Sequence, residues 1–164
     1  VQAVKKVAVG AGMAWRETNY LLLRRGPYVI ASGLDESIEG EPKVLRGRLV
    51  NLFDPELRVR DSVTLAPGAR CFLLDLEAVR GRDLRVLASA CKALVVKRDA
   101  ESAVLAVEGV AHTPAVVLLH ANRPPSSVTL AGTPLSGFLY SPAERLLWIR
   151  FANEATPRDL SVHC

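Results

Sequence analysis

The sequence predicts an all-β fold: antiparallel sheets packed as a sandwich or jelly roll, preceded by a short N-terminal helix or arm. Three observations lead there. From Asn19 onward, short apolar runs alternate with turn residues, at the spacing of about 8–12 residues typical of sandwiches and barrels. The 10 prolines fall almost entirely between those runs, which argues against long helices. Finally, several runs alternate apolar with polar residues, the period-two signature of a strand with one face buried.

Residues 1–18 stand apart as a helix or arm. Val4, Val7, Ala8, Ala11 and Trp15 recur at helical spacing, with Lys5 and Lys6 on the other side. Gly10 and Gly12 weaken a helix there. An arm of this kind that once joined a preceding domain would expose Val4, Val7 and Trp15 as an apolar patch. The first residue is Val, and the chain reads as a piece of something longer.

Next, "NYLLL" and "YVIAS" flank Arg24-Arg25-Gly26-Pro27 as an opening hairpin. "GLDESIEGEPK" is a polar loop. "VLRGRLVNLF" alternates Leu45, Gly47, Leu49 and Asn51 against Arg46, Arg48, Val50 and Leu52. "DPEL" turns at Pro55, "RVRDSVTL" alternates again, "APGA" turns and "RCFLLDL" is a further strand. The charged segment Glu77–Asp83 is the expected boundary between a first β-sandwich region, 19–80, and a second, 81–164. One jelly roll over 19–164 is the alternative. After the boundary, Leu84, Leu87, Ala88, Cys91, Leu94 and Val95 fit a helix, whereas the β-branched "KALVVK" fits a strand, and the strand is preferred for the later half. "SAVLAVEG", "PAVVLLHA", "SSVTLAG", "GFLYSP", "RLLWIRFAN" and "DLSVH" complete the series of short strands.

Composition narrows the function classes. Among 164 residues, 49% are apolar and 23% charged, with a formal net charge of +4, so the chain can build a core and is not of the disordered class. No run of about 18 uncharged apolar residues exists to span a membrane as a helix, and no signal peptide is visible at the N-terminus. Arg46, Arg48, Arg58, Arg60, Arg80, Arg82 and Arg85 occur singly, unlike the clustered cations and interleaved aromatics of a nucleic-acid surface. Neither nucleic acid nor a membrane span is expected.

Chemistry-bearing motifs are sparse. Cys71, Cys91 and Cys164 have no CxxC spacing, which disfavours a zinc ribbon or a thioredoxin-like site. Cys71 and Cys91 sit in apolar runs and read as small buried hydrophobes. "KVAVGAGMAW" offers G-x-G at Gly10 and Gly12, but Trp15 stands where the third glycine belongs and a hairpin follows in place of a βαβ unit. His112, His120 and His163 lack a nucleophile elbow or an obvious partner. Asp35, Glu36, Glu39 and Glu41 lack the spacing of a calcium loop. Asp35, Asp54, Asp75 and Glu108 lie near strand ends, where acidic residues usually form turns, although a glycosidase-like pair would also be carboxylates. Hence no catalytic residue, metal ligand or cofactor is assigned. A sugar site would need an aromatic platform, for which Trp148 and Tyr140 are the candidates, set against the core role that large aromatics usually take.

Two longer stretches carry a resemblance. "RRGPYVIASGLDES" with "LRGRLVNLFDPELRVRDSVTLAPGARCFLLDL" resembles the β-sandwich regions that follow the catalytic barrel in bacterial glycoside hydrolases, through Val63, Leu65, Pro67, Gly68, Leu73, Leu74 and Asp75. "SAVLAVEGVAHTPAVVLLHANRPPSSVTLAGTPL" with "FLYSPAERLLWIRFAN" is similar to the accessory sandwiches of β-galactosidase-like enzymes. The resemblance covers roughly residues 19–163. It implies a galactose-binding-like β-sandwich, a non-catalytic accessory role beside a preceding catalytic domain of a parent chain, a carbohydrate as ligand, and a secreted or periplasmic setting. It transfers no catalytic residue, because no repeated strand–helix units of a barrel are present. Two alternatives stand beside it: a carbohydrate-binding module with its own site at Trp148 and Tyr140, and a small stand-alone enzyme.

Overall fold

A computed structural model describes residues 2–35, 40–79, 81 and 83–164. Residues 36–39 of the expected polar loop, and residues 80 and 82 of the expected boundary, lie outside the described residues. The fold is mostly β, with three antiparallel sheets and one short N-terminal helix. The chain divides into two compact units, Val1–Phe53 with Arg58–Val79, and Asp54–Leu57 with Arg80–Cys164.

In the first unit, helix α1 covers Gln2–Gly10. It ends earlier than the apolar spacing suggests, because Met13 N–H turns back to the Ala8 carbonyl (3.0 Å) and Gly12 takes φ +77°. Only Ala8 of this helix is buried. Trp15 leaves the helical pattern altogether, and its indole N–H donates to Glu17 at 2.8 Å.

Strands β1 (Tyr20–Arg25), β2 (Tyr28–Gly33), β3 (Lys43–Asn51), β4 (Val59–Leu65) and β5 (Arg70–Asp75) form one sheet in the order β1-β2-β5-β3-β4. The described strands between residues 19 and 79 therefore join a single sheet and not two facing ones. The cause is β5, which inserts between the β1–β2 and β3–β4 hairpins and hydrogen-bonds to both. The inner face buries Val29, Ala31, Leu49, Leu65, Cys71 and Leu73, with Tyr20, Leu45 and Val63 packed against them. Strict alternation along β3 fails in its second half, where Leu49 and Val50 are both buried. A register shift between Arg46 and Leu49 falls at Gly47, φ +134°, where a bulge disturbs the ladder, while Leu45 and Leu49 both stay at the inner face.

The second unit holds β6 (Arg85–Ser89), β7 (Lys92–Arg98), β8 (Ser102–Glu108), β9 (Pro114–His120), β10 (Ser127–Leu130), β11 (Thr133–Pro134), β12 (Phe138–Ser141), β13 (Leu146–Ala152) and β14 (Arg158–His163). They form a five-stranded sheet, β11-β10-β14-β8-β7, and a four-stranded sheet, β12-β13-β9-β6. Both halves of the ambiguous segment after Asp83 are strands. One cluster of buried side chains draws on both sheets: Leu105, Val107, Leu160 and Val162 from the first, and Val117, Leu119, Leu147 and Ile149 from the second. In β9 and β13 the runs Ala115–Leu119 and Leu146–Ile149 are buried at every position, as continuous apolar runs predict for strands covered on both faces.

Candidate functional site

An apolar concave surface with polar groups beside it lies on the outer face of the five-stranded sheet of the first unit. Strand pleating creates it. Val29, Ala31 and Gly33 point inward along β2, so Tyr28, Ile30 and Ser32 point out. On β5, Phe72 lies opposite Ile30 and Arg70 opposite Ser32. Phe53 arrives just after β3, where Leu52 N–H donates to the Phe72 carbonyl (2.7 Å) and Phe53 N–H donates to Asn51 Oδ1 (3.1 Å). The three rings make a tilted row, with centroids 5.6 Å apart for Tyr28–Phe72 and 6.4 Å for Phe53–Phe72.

Ile30, Ala31, Ser32, Phe53, Arg70, Cys71 and Phe72 line a pocket of about 470 Å³. That volume suits a small ligand, as does a mainly apolar wall with few polar groups. Phe53 is 66% exposed, so its ring face is open to a flat partner. The Ser32 hydroxyl turns toward the Gly33 carbonyl at 3.4 Å. Burial pushes the Cys71 thiol above its ordinary pKa, which keeps it protonated and a poor nucleophile near neutral pH. The arrangement can hold an apolar or amphipathic group with a polar end near Arg70. It supplies neither a general base nor an activated nucleophile.

No family model, curated protein or solved structure matches the chain.

The residues singled out from sequence lie elsewhere. Trp148 on β13 is only 5% exposed, and its indole N–H donates to the Leu57 carbonyl at 3.1 Å within the second unit. A stacking platform needs an accessible ring face, and Trp148 offers little of one. Tyr140 on β12 is half-buried and donates its hydroxyl to the Ala121 carbonyl at 3.3 Å. The strand-end carboxylates have local partners. Asp54 Oδ1 accepts the Glu56 N–H at 3.0 Å. Asp75 accepts the Glu77 N–H at 3.1 Å and pairs with Arg24 at 2.5 Å. Glu108 pairs with Lys92 across β7 and β8. His112 sits in a left-handed turn at φ +63°, and His120 Nδ1 lies 3.2 Å from the Asp83 carbonyl. Gly10 and Gly12 close α1 and do not open a helix. Among the described residues, no three His, Cys, Asp or Glu side chains gather as for a metal ion, and no helix is long and apolar enough to cross a membrane.

Tyr28, Phe53 and Phe72 were not singled out from sequence. "YVIAS" is apolar in both phases of a strand, so alternation does not reveal which residues face out. The contrast that could have marked the outer face is Arg70 and Phe72 against Cys71 and Leu73 on β5, where one phase carries a charge.

Proposed function

We propose that the chain is a non-catalytic accessory β module of a larger glycoside-hydrolase-like protein, with the two sheets of the second unit packed as a β-sandwich. The observation that carries this reading is the employment of the strand-end carboxylates. Asp54 and Asp75 accept backbone N–H groups two residues on, which is turn-forming work; Asp75 is also engaged by Arg24 of β1, two strands away in the sheet, and Glu108 by Lys92 on the neighbouring strand. A glycosidase pair would instead face each other across an open cleft. The resemblance of residues 19–163 to sandwiches that accompany catalytic barrels supplies the larger context.

One observation favours a second reading, a binding module. The row of Tyr28, Phe53 and the half-buried Phe72 beside Arg70 and Ser32 has the makings of a platform for the apolar face of a ligand such as a sugar. A glycan array, run together with a panel of aryl glycosides, separates the readings. The accessory role expects no turnover of any glycoside by the purified chain; turnover abolished by Asp54→Asn or Glu108→Gln would sink it. Saturable binding on the array that is lost in Phe53→Ala and kept in Trp148→Phe would select the binding module.

A further inference from the structure

Among the described residues, strand β1 is an edge of its sheet, pairing with β2 alone. The direction of its backbone groups follows from the neighbouring strands. The Pro27 carbonyl accepts from Asp75 N–H (2.7 Å) and Gly33 N–H donates to the Ala69 carbonyl (2.9 Å), so the odd-numbered residues of β2 turn toward β5. Tyr28, Ile30 and Ser32 therefore exchange hydrogen bonds with Arg25, Leu23 and Leu21, their partners in register. Tyr20, Leu22 and Arg24 are left with their N–H and C=O groups directed at the open edge. The Thr18 hydroxyl donates to the Tyr20 carbonyl at 2.9 Å, which uses one of that oxygen's two lone pairs.

Side chains reinforce the point. Leu21, Leu22 and Leu23 are 62%, 44% and 61% exposed. Exposed sheet edges are normally blunted by charge, proline, bulges or brevity, and the other edges of this protein are. Strand β4 carries Arg60 and Asp61. Strand β7 carries Lys92, Lys97 and Arg98 and a register shift between Val95 and Lys97. Strand β6 has a shift between Val86 and Ala88, β11 has two residues and β12 four. Strand β1 carries Arg24 and Arg25 at its far end, but its stretch Tyr20–Leu23 has no charge, proline or register shift.

We propose that a second copy of this chain pairs with β1, antiparallel and centred on Leu22, joining two five-stranded sheets into one. The occupant is a second copy because the edge is complementary to itself. Turning β1 about Leu22 sets Leu22 opposite Leu22, Tyr20 opposite Arg24, and Leu21 opposite Leu23. Each residue with outward backbone groups thus meets another such residue, for about six ladder hydrogen bonds. Charge fits as well. Arg24 is already neutralised by Asp75 and faces Tyr20 of the other copy, and Arg25 faces Asn19, so no like charges oppose each other. On the outer face Leu21 and Leu23 of both copies extend the apolar surface of Ile30, itself 54% exposed.

The test is light scattering and amide hydrogen exchange on the 164-residue chain over a range of concentrations. The expected result is a monomer–dimer equilibrium in which the Leu22 and Arg24 amides gain protection as concentration rises, while those of Leu21 and Leu23 are protected throughout. A double variant, Leu21→Lys with Leu23→Lys, sets lysines opposite one another and weakens association at least about tenfold. Both sites are exposed, so its circular dichroism stays unchanged. A matched Leu21→Glu, Leu23→Glu chain fails to associate alone, yet forms a mixed dimer with the lysine variant. A chain that stays monomeric at every concentration overturns the proposal. So does a dimer in which Leu22 and Arg24 still exchange freely, or one that ignores the lysine pair.

Discussion

Gly33 ends β2 where the β4–β5 turn folds down upon it. A Cβ built there would come within 2.0 Å of the Ala66 carbonyl oxygen, and the Gly33 carbonyl itself accepts from Gly68 N–H at 3.0 Å. Both obstacles are backbone and cannot rotate away, so Gly33→Ala must push the turn off the strand. Overpacking of this kind costs about 1–3 kcal/mol or more, and we expect a matching fall in the urea midpoint, with hydrogen exchange accelerated at Gly68 and Ala69. A midpoint within error of the parent would contradict the packing described. The cysteines make a second residue-scale prediction. Burial raises the pKa of Cys71, and in Cys164 burial outweighs the lowering influence of Arg123. Alkylation of Cys71 at pH 8 should therefore be far slower than that of an unstructured cysteine, and denaturant should remove the difference. The burial of Cys71 was legible in "RCFLLDL", since the apolar run Phe72–Leu74 follows it. The bulge at Gly47 was not, because a glycine within an alternating run is compatible with an unbroken strand, and the register shift depends on how β3 pairs with β4.

At the scale of elements, the β7–β8 hairpin rests on one carboxylate. Asp99 accepts the Ser102 hydroxyl at 2.5 Å and the backbone N–H groups of Ser102 (2.7 Å) and Glu101 (2.9 Å). These bonds, the Ser102 hydroxyl first among them, hold its pKa below the ordinary value of 3.8. The sign follows from linkage: a depressed carboxylate pKa contributes stability that is fully present above the unfolded value and is lost as pH falls through the folded one. Exchange protection at Glu101 and Ser102 should accordingly be constant from neutral pH down to the ordinary Asp range and collapse below it. Asp99→Asn should lack that acid step. Protection that declines already between pH 7 and 5 would assign the turn to some other group. Most strands were legible from their apolar runs and intervening turns. Helix or strand over Leu84–Val95 was not, because a short apolar stretch supports both periods and only pairing with β9 and β8 decides it. The aromatic row was missed for a related reason. Tyr28 and Phe72 acquire an outward face from the register of β2 against β5, and Phe53 reaches them only through the Leu52–Phe72 hydrogen bond.

For the whole molecule, each unit has its own buried cluster. Leu73 anchors the first and is 0% exposed, and Leu105 anchors the second, also at 0%. Truncating either to alanine removes buried methyl groups and leaves a cavity, at a cost of about 2–5 kcal/mol. Leu73→Ala should raise exchange rates first at Val29, Ala31 and Leu49, and Leu105→Ala first at Val107, Val117 and Leu160. Identical exchange maps for the two variants would mean that the clusters are not separate. The antiparallel β class was legible from turn spacing and proline placement. The joining of two hairpins into one sheet was not, since strand order depends on contacts far apart in the chain.

The place of β5 also has a consequence in time. A polypeptide emerging from the ribosome releases both hairpins, β1–β2 and β3–β4, before the strand that lies between them. Until Arg70–Asp75 is free, Val29 and Ala31 on one hairpin and Leu49 and Leu65 on the other have no common neighbour to pack against. Closing the sheet by its central strand is a late, long-range event. Nascent chains stalled short of Arg70 should thus remain protease-sensitive throughout Tyr20–Leu65, and resistance should appear in a single step once the stall point moves far enough to free Asp75.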